Sequence, residues 1–345
     1  MEWLIPEYVE ALVKEIRGWE YGGTVDTVYL GGGTPTMLDE RHLGTILEAY
    51  GSVFTIATDA EITIESNPGT ISEPFLRHLR ALGINRLSLG VQSFSDRRLR
   101  ELGRRHSASE ALEAFGLARI AFDNVNIDLL YALPSQTLEE WHHALEKALG
   151  LEPDHISLYP LTVEEGTPLS QAIASGRVIR PDPDLAAEMF LLAEEMLSVY
   201  DHYEISNWAT PGKRCRHNLT YWKNLPYLGF GAGAHSFFNH HRFSNLLSPV
   251  DYVQRLNEAD SPTEQEEYIG EALEMAETMI LGLRLREGVN LAEFSNRFNR
   301  DAASVYGDEI DELVSLGLIL NDGSTIRLTN RGRLLGNQVF LRFLP

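Results

Sequence analysis

The sequence predicts an α/β protein, an open, partial (β/α) barrel of TIM type followed by a helical, winged C-terminal module. Three observations predict it. Short strand patterns alternate with amphipathic helical patterns from Val25 to Tyr200, the mark of a parallel sheet covered by helices. Successive strand patterns end in glycine or polar residues, as they do when strand ends converge on one mouth, which favours a barrel over a doubly wound sheet. From Pro249 onward the pattern changes to short helices closed by a hairpin with an Asp-Gly turn, Asn321-Asp-Gly-Ser324.

Composition bounds the function. With 345 residues, 43% of them hydrophobic and 23% charged, the chain reads as an ordinary globular protein with one large domain and a smaller one attached. A formal charge of -21 argues against wide contact with nucleic acid. The basic residues cluster once, at Arg97 to Arg105, a patch suited to a carboxylate or a phosphate. No apolar run has spanning length and no signal peptide is recognisable, so a cytoplasmic location is expected. The single cysteine, Cys215, excludes an internal disulfide framework and any cluster held by several thiolates of this chain.

In order, the chain opens on a helix at Ile5 to Trp19, with Pro6 in the first turn. Strands are expected at Val25–Leu30, Glu61–Glu65, Arg86–Gln92, Val125–Leu130 and His155–Tyr159, and more weakly at Tyr203–Ser206. Helices fall between them at Asp39–Tyr50, Glu73–Leu82, Asp96–Leu102, Ser109–Ile120, Leu138–Leu149 and Leu185–Tyr200. Ser72, Ser95 and Ser107 serve as starts and Gly83 as a stop. The segment Tyr227 to Phe237 reads as a flexible Gly-rich stretch. Helices follow at Tyr252–Asn257, Tyr268–Leu283, Leu291–Phe298 and Asp301–Leu316, then the hairpin Leu318–Leu320 and Thr325–Leu328. These divisions give a barrel over 1–210, a connecting region over 211–247 and a C-terminal domain over 248–345. Winged modules often bind DNA, but Asp308, Glu309, Asp311 and Glu312 before the hairpin point to packing or a lid.

The polar strand ends define the candidate site. Gly31-Gly-Gly-Thr-Pro-Thr36 closes the first strand, where glycines let the backbone approach a ligand; the alternative is a turn that serves packing alone. Glu65 ends the second strand, Gln92 the third, and Asp128 lies in the fourth. Separately, His217, Tyr221 and Trp222 form either one helical face or a loop that presents an imidazole and rings to a flat ligand; the alternative is a surface turn.

Gly31-Gly-Gly-Thr-Pro-Thr36, Glu65-Ser-Asn-Pro-Gly69, Arg86-Leu-Ser-Leu-Gly-Val-Gln-Ser-Phe94, Gly103-Arg-Arg-His106 and Asn126-Ile-Asp-Leu-Leu-Tyr-Ala-Leu-Pro134 resemble, in order and spacing, one known family. It is the radical S-adenosylmethionine (SAM) family of oxygen-independent coproporphyrinogen III oxidase and the HemW-type haem chaperones. The likeness covers nearly the whole chain, and His217-Asn-Leu-Thr-Tyr-Trp222 resembles the His-Asn-x-x-Tyr-Trp motif of the chaperone branch. The resemblance implies SAM contacts at Gly32, Gly33 and Thr34 for the methionine end, and at Glu65, Gln92, Arg104 and Asp128. It implies haem near His217, as iron ligand, with Tyr221 and Trp222 against the porphyrin; His235 is a weaker candidate. Delivery of haem to respiratory haem proteins follows from it, with membrane-peripheral contact made through the recipient. The enzymatic alternative, oxidative decarboxylation of coproporphyrinogen III, applies to a longer parent, and a cluster-free binding protein is a third reading.

One departure from the family pattern stands out. The family holds a [4Fe–4S] cluster with Cys-x3-Cys-x2-Cys after a first barrel strand, and neither that motif nor that strand is in this sequence, so radical chemistry is not expected of it as written. The competing expectations are an N-terminally shortened version of a complete protein, through a misplaced start at Met1, and a true cluster-free relative. Edge-strand reasoning favours shortening, because Val25–Leu30 would otherwise present an unblunted backbone edge.

Overall fold

A seven-stranded sheet in the order β1-β2-β3-β4-β5-β7-β6 organises the chain in the computed structural model, which describes residues 2–344. Met1, at which the shortened start was placed, lies outside the described residues. In chain order the first half contains α1 (Ile5–Gly18), β1 (Gly23–Leu30), α2 (Glu40–Val53), β2 (Phe54–Ser66), α3 (Glu73–Ala81), β3 (Arg86–Gln92), α4 (Asp96–Glu101), α5 (Ala108–Ala121), β4 (Val125–Tyr131), α6 (Leu138–Gly150) and β5 (His155–Pro160). There follow α7 (Pro168–Ala174), α8 (Pro183–Met196), β6 (Asp201–Glu204), β7 (Asn207–Ala209), α9 (Arg216–Trp222), β8 (His235–Phe238), β9 (His241–Asn245), α10 (Pro249–Asn257) and β10 (Thr263–Tyr268). The chain closes with α11 (Glu271–Gly282), β11 (Val289–Asn290), α12 (Leu291–Phe298), α13 (Ala302–Ser315), β12 (Ile319–Asn321), β13 (Thr325–Leu328), α14 (Asn330–Leu334) and α15 (Gly336–Phe340).

The described residues divide into two compact units. One comprises the chain up to Val28, Leu38–Glu61 and everything from Cys215; the other comprises Tyr29–Met37 and Ile62–Arg214. In the second unit β2, β3, β4 and β5 pair in parallel, giving the expected partial barrel. Ile64, Leu87, Leu89, Ile127 and Ile156 on these strands are fully buried, as parallel strands covered on both faces require. The helices between them start where the sequence supplies caps. Ser107 and Glu110 form a reciprocal capping box, as do Thr137 and Glu140.

Four differences from the sequence expectations have local causes. The weak strand expected at Tyr203–Ser206 is β6, lying two residues earlier at Asp201–Glu204; Ile205 and Ser206 form the turn of its antiparallel hairpin with β7, and β7 pairs antiparallel with β5. Glu204 makes that turn, since its carboxylate accepts the Ser206 N–H and a bond from the Asn207 side-chain amide. β2 begins at Phe54 rather than Glu61, because the β-branched run after Val53 leads the chain from α2 directly into the strand. The helix expected from Tyr268 starts at Glu271: Tyr268 pairs with His241 in a sheet of order β10-β9-β8, and Gly270 is the helix N-cap. The Gly-rich stretch leading into that sheet is anchored rather than loose. The Gly231 N–H donates to Glu15 at 2.8 Å, and Asn245 and Tyr252 donate to the same carboxylate.

Glu15 therefore joins α1 to three segments of its own unit. The face of α1 formed by Val9, Leu12, Val13 and Ile16 packs on Ile46 and Ala49 of α2, while Leu4 and Ala11 meet Tyr252 and Val253 of α10. Gly231 has φ +105°, and a Cβ there would lie 2.7 Å from the Tyr8 hydroxyl, so only glycine brings its amide to Glu15 without strain. The winged module is present as expected, with β11-β13-β12 beside α12 and α13. Replacing Glu15 by alanine leaves three donors without their acceptor, so Glu15→Ala is expected to cost about 2–4 kcal/mol in urea unfolding and to speed hydrogen exchange at Gly231. An unchanged exchange rate at that amide would show that Glu15 does not hold the segment.

Candidate functional site

In the second unit, the ends of the strands enclose a cavity of about 360 Å³ lined by Tyr29, Gly32, Gly33, Thr34, Glu65, Asn67, Ser88, Gln92, Arg104, Asp128 and Tyr159 among others. All seven residues expected at the SAM pocket, Gly32, Gly33, Thr34, Glu65, Gln92, Arg104 and Asp128, line this one cavity. Parallel pairing puts the strand ends side by side, which is why residues far apart in sequence meet there.

Each wall has a local cause. Gly32 adopts φ +102°, and a Cβ at Gly32 or Gly33 would meet nothing within 4 Å, so both backbones face open space. Gln92 at the end of β3 has φ +63°, where the register of β3 against β4 shifts and turns its side chain out of the ladder. The Tyr29 hydroxyl donates to Glu65 Oε1 at 2.7 Å, and the Gly32 N–H also reaches the Glu65 carboxylate. Asn67 donates through Nδ2 to Thr34 Oγ1 at 2.8 Å and accepts from Arg104 Nη1 at 3.3 Å, tying the glycine turn to the arginine. Asp128 accepts from Asn126 Nδ2 at 2.8 Å and from Ser88 Oγ at 3.1 Å.

The electrostatics favour a cationic ligand. Burial pushes the carboxyl groups of Glu65 and Asp128 above their ordinary range; the hydrogen bonds from Tyr29 and Asn126 respectively, and the buried Arg86 guanidinium, pull the other way. Tyr29 is driven upward by burial and by the two acids. Two members of the basic cluster, Arg97 and Arg98, are used internally, both pairing with Glu140. Arg104 alone of the named arginines lines the cavity. The donor set fits SAM on these grounds: acids for a sulfonium or ammonium, a guanidinium for a carboxylate, and bare backbone between them. Asn67, Tyr29 and Ser88 were not assigned from sequence. Asn67 stands in the quoted Glu65 to Gly69 motif, but a side chain that acts by holding two others carries no signal of its own.

In the first unit, His217, Tyr221 and Trp222 lie on α9, which settles the sequence alternatives in favour of a helix. His217 Nε2 is hydrogen-bonded with the Tyr221 hydroxyl at 2.9 Å and Nδ1 with Thr27 Oγ1 at 2.9 Å, so both ring nitrogens are engaged. Glu61 holds the start of α9, accepting from the backbone N–H groups of Arg216 and His217 and from the Cys215 thiol. Trp222 points elsewhere: the Arg284 guanidinium lies 4.2 Å from its ring centroid. His235 is exposed at the start of β8. Cys215 is buried, and among the described residues no group of three His, Cys, Asp or Glu could hold a metal ion. A cluster that needs several thiolates does not fit these residues.

A model of the Radical SAM superfamily matches residues 1–148, and one of the HemN C-terminal domain matches residues 273–335. A heme chaperone HemW of Lactococcus lactis is 36% identical over 346 residues, spanning 99% of this chain and 90% of the relative. That of Bacillus subtilis is 36% identical over 347 residues, spanning 99% and 92%. Among solved structures, Escherichia coli coproporphyrinogen III oxidase (HemN), a radical SAM enzyme, matches with a TM-score of 0.85 at 24% identity over 99% of this chain and 84% of that one, a likeness of fold.

A raised carboxyl pKa means that the folded state binds the proton more tightly than the unfolded chain, so stability falls as pH climbs from the ordinary carboxylate range through the raised value. Glu65→Gln, which can keep the bonds from Tyr29 and Gly32, is therefore expected to raise the melting temperature at pH 8 by about 2–4 °C, with no gain near pH 4. A gain independent of pH would remove charge burial as the cause.

Proposed function

We propose, from the premise that the chain belongs to the HemW-type haem chaperone family of the radical SAM superfamily, that it binds haem and hands it to haem-dependent respiratory proteins. What carries the reading is similarity to those chaperones over 99% of this chain, together with a helix, α9, that presents His217 beside Tyr221. In this reading haem is cargo, His217 supplies an iron-binding nitrogen and Tyr221 meets the porphyrin, while Trp222, expected there from the sequence, is taken up by the Arg284 guanidinium instead. Among the described residues no helix is long and apolar enough to cross a membrane. A cytoplasmic protein that meets a membrane through its recipient accords with that.

SAM belongs to the same reading. Backbone groups at Gly32, Gly33 and Thr34 hold the methionine end, Arg104 pairs with its carboxylate, and Glu65, Gln92 and Asp128 take the remaining polar and cationic groups. When bound, SAM supplies a sulfonium-linked adenosyl group. Glu65 and Asp128 gain most from that ligand, because a cation relieves the burial of their charge. No step is assigned to an iron–sulfur cluster, whose thiolates the one buried cysteine does not provide.

Iron coordination requires a free imidazole nitrogen, so the bond between His217 Nε2 and Tyr221 competes with haem. In hemin titrations His217→Ala is expected to shift the Soret band and weaken binding at least about tenfold, while Tyr221→Phe, which removes the competing bond to Nε2, tightens it several-fold. An unaltered spectrum and affinity in His217→Ala would remove the ligand assignment.

A further inference from the structure

Beneath the cavity of the second unit lies a buried polar network that the proposed ligand contacts do not use. Asn126, on β4, is 1% exposed, and its amide is fully committed. Nδ2 donates to Asp128 Oδ1 at 2.8 Å and to Ser88 Oγ at 2.7 Å; Oδ1 accepts from Ser157 Oγ at 3.2 Å and bonds His155 Nδ1 at 2.7 Å. His155 is fully buried, and its other nitrogen, Nε2, meets the Tyr203 hydroxyl at 2.8 Å.

With Asp128 ionised, as a cationic ligand in the cavity keeps it, the direction of every bond follows from that one charged end. A carboxylate only accepts, so the Asn126 group facing Asp128 is the NH2, and its oxygen faces His155. That oxygen only accepts, so the proton of His155 sits on Nδ1. Nε2 is then an acceptor, and Tyr203 must donate to it. Burial, with the Arg86 guanidinium nearby, keeps the ring neutral, as the scheme requires.

We propose that His155 and Asn126 are positioning residues for the cavity's ligand: the one-way chain from Tyr203 through His155 and Asn126 to Asp128 fixes the Asp128 carboxylate with its remaining lone pairs turned to the cavity. The proposal rests on the reading that this cavity takes SAM. The chain has no slack, because each link has a single allowed polarity and almost no solvent to replace it. Reversing one link sets oxygen against oxygen at Asp128.

Two substitutions of His155 separate positioning from bulk stability. The side-chain amide of asparagine reaches about where Nδ1 lies and that of glutamine about where Nε2 lies. In equilibrium dialysis of labelled SAM against the full chain, His155→Asn is expected to stay within about twofold of the parent and His155→Gln to lose about tenfold. Nitrogen NMR of the histidine-labelled parent is expected to show His155 neutral with its proton on Nδ1. Equal losses in the two variants, or a proton on Nε2 in a parent that binds SAM, would overturn the positioning role alone. A parent that binds no SAM would overturn the ligand reading and this role with it.

Discussion

Two half-buried carboxyl groups at the ends of parallel strands set the terms for the rest of this structure. Glu65 on β2 and Asp128 on β4 line one cavity with β3 between their strands, and burial makes ionisation costly for both. An unpaired buried charge is among the most expensive features a fold can carry. Here each acid keeps donors of its own, Tyr29 for one and Asn126 with Ser88 for the other, and the buried Arg86 lies within electrostatic reach of both. Such a site costs stability in the absence of a ligand and is best satisfied by a cation, which gives the family's cofactor a physical reason to bind apart from any likeness of sequence.

The cavity also shows how rigid and permissive backbone divide the work. The strands place the acids and the network beneath them, where side chains are locked by packing and by hydrogen bonds of fixed polarity. The glycine turn after β1 supplies bare backbone, and Asn67 ties that turn to Arg104 so that the flexible element is held at its far side. In the first unit the same economy appears at α9. Glu61 fixes the start of the helix, and Tyr221 and Thr27 fix the imidazole of His217. In the proposed haem reading, an imidazole restrained at both nitrogens is held in place yet must give up one bond to coordinate iron, a compromise suited to receiving a cargo and releasing it.

The sequence by itself determined the βα alternation, the glycine turn and the strands that carry Glu65, Gln92 and Asp128, because strand period, glycine turns and caps are local and a parallel sheet brings strand ends together without further information; Arg104 came only from the resemblance of its motif to the family's. It also determined that one cysteine cannot hold a thiolate cluster. Only the tertiary structure decided what depends on partners distant in the chain. The sheet formed by β8, β9 and β10 was invisible because β10, Thr-Glu-Gln-Glu-Glu-Tyr, is an exposed edge strand whose charges hide its pairing. Asn126 and His155 read as ordinary strand residues until the fold closed them into one hydrogen-bonded chain with Tyr203. A buried polar group acquires its meaning from the donor or acceptor opposite it, and neither periodicity nor composition records which residue that will be.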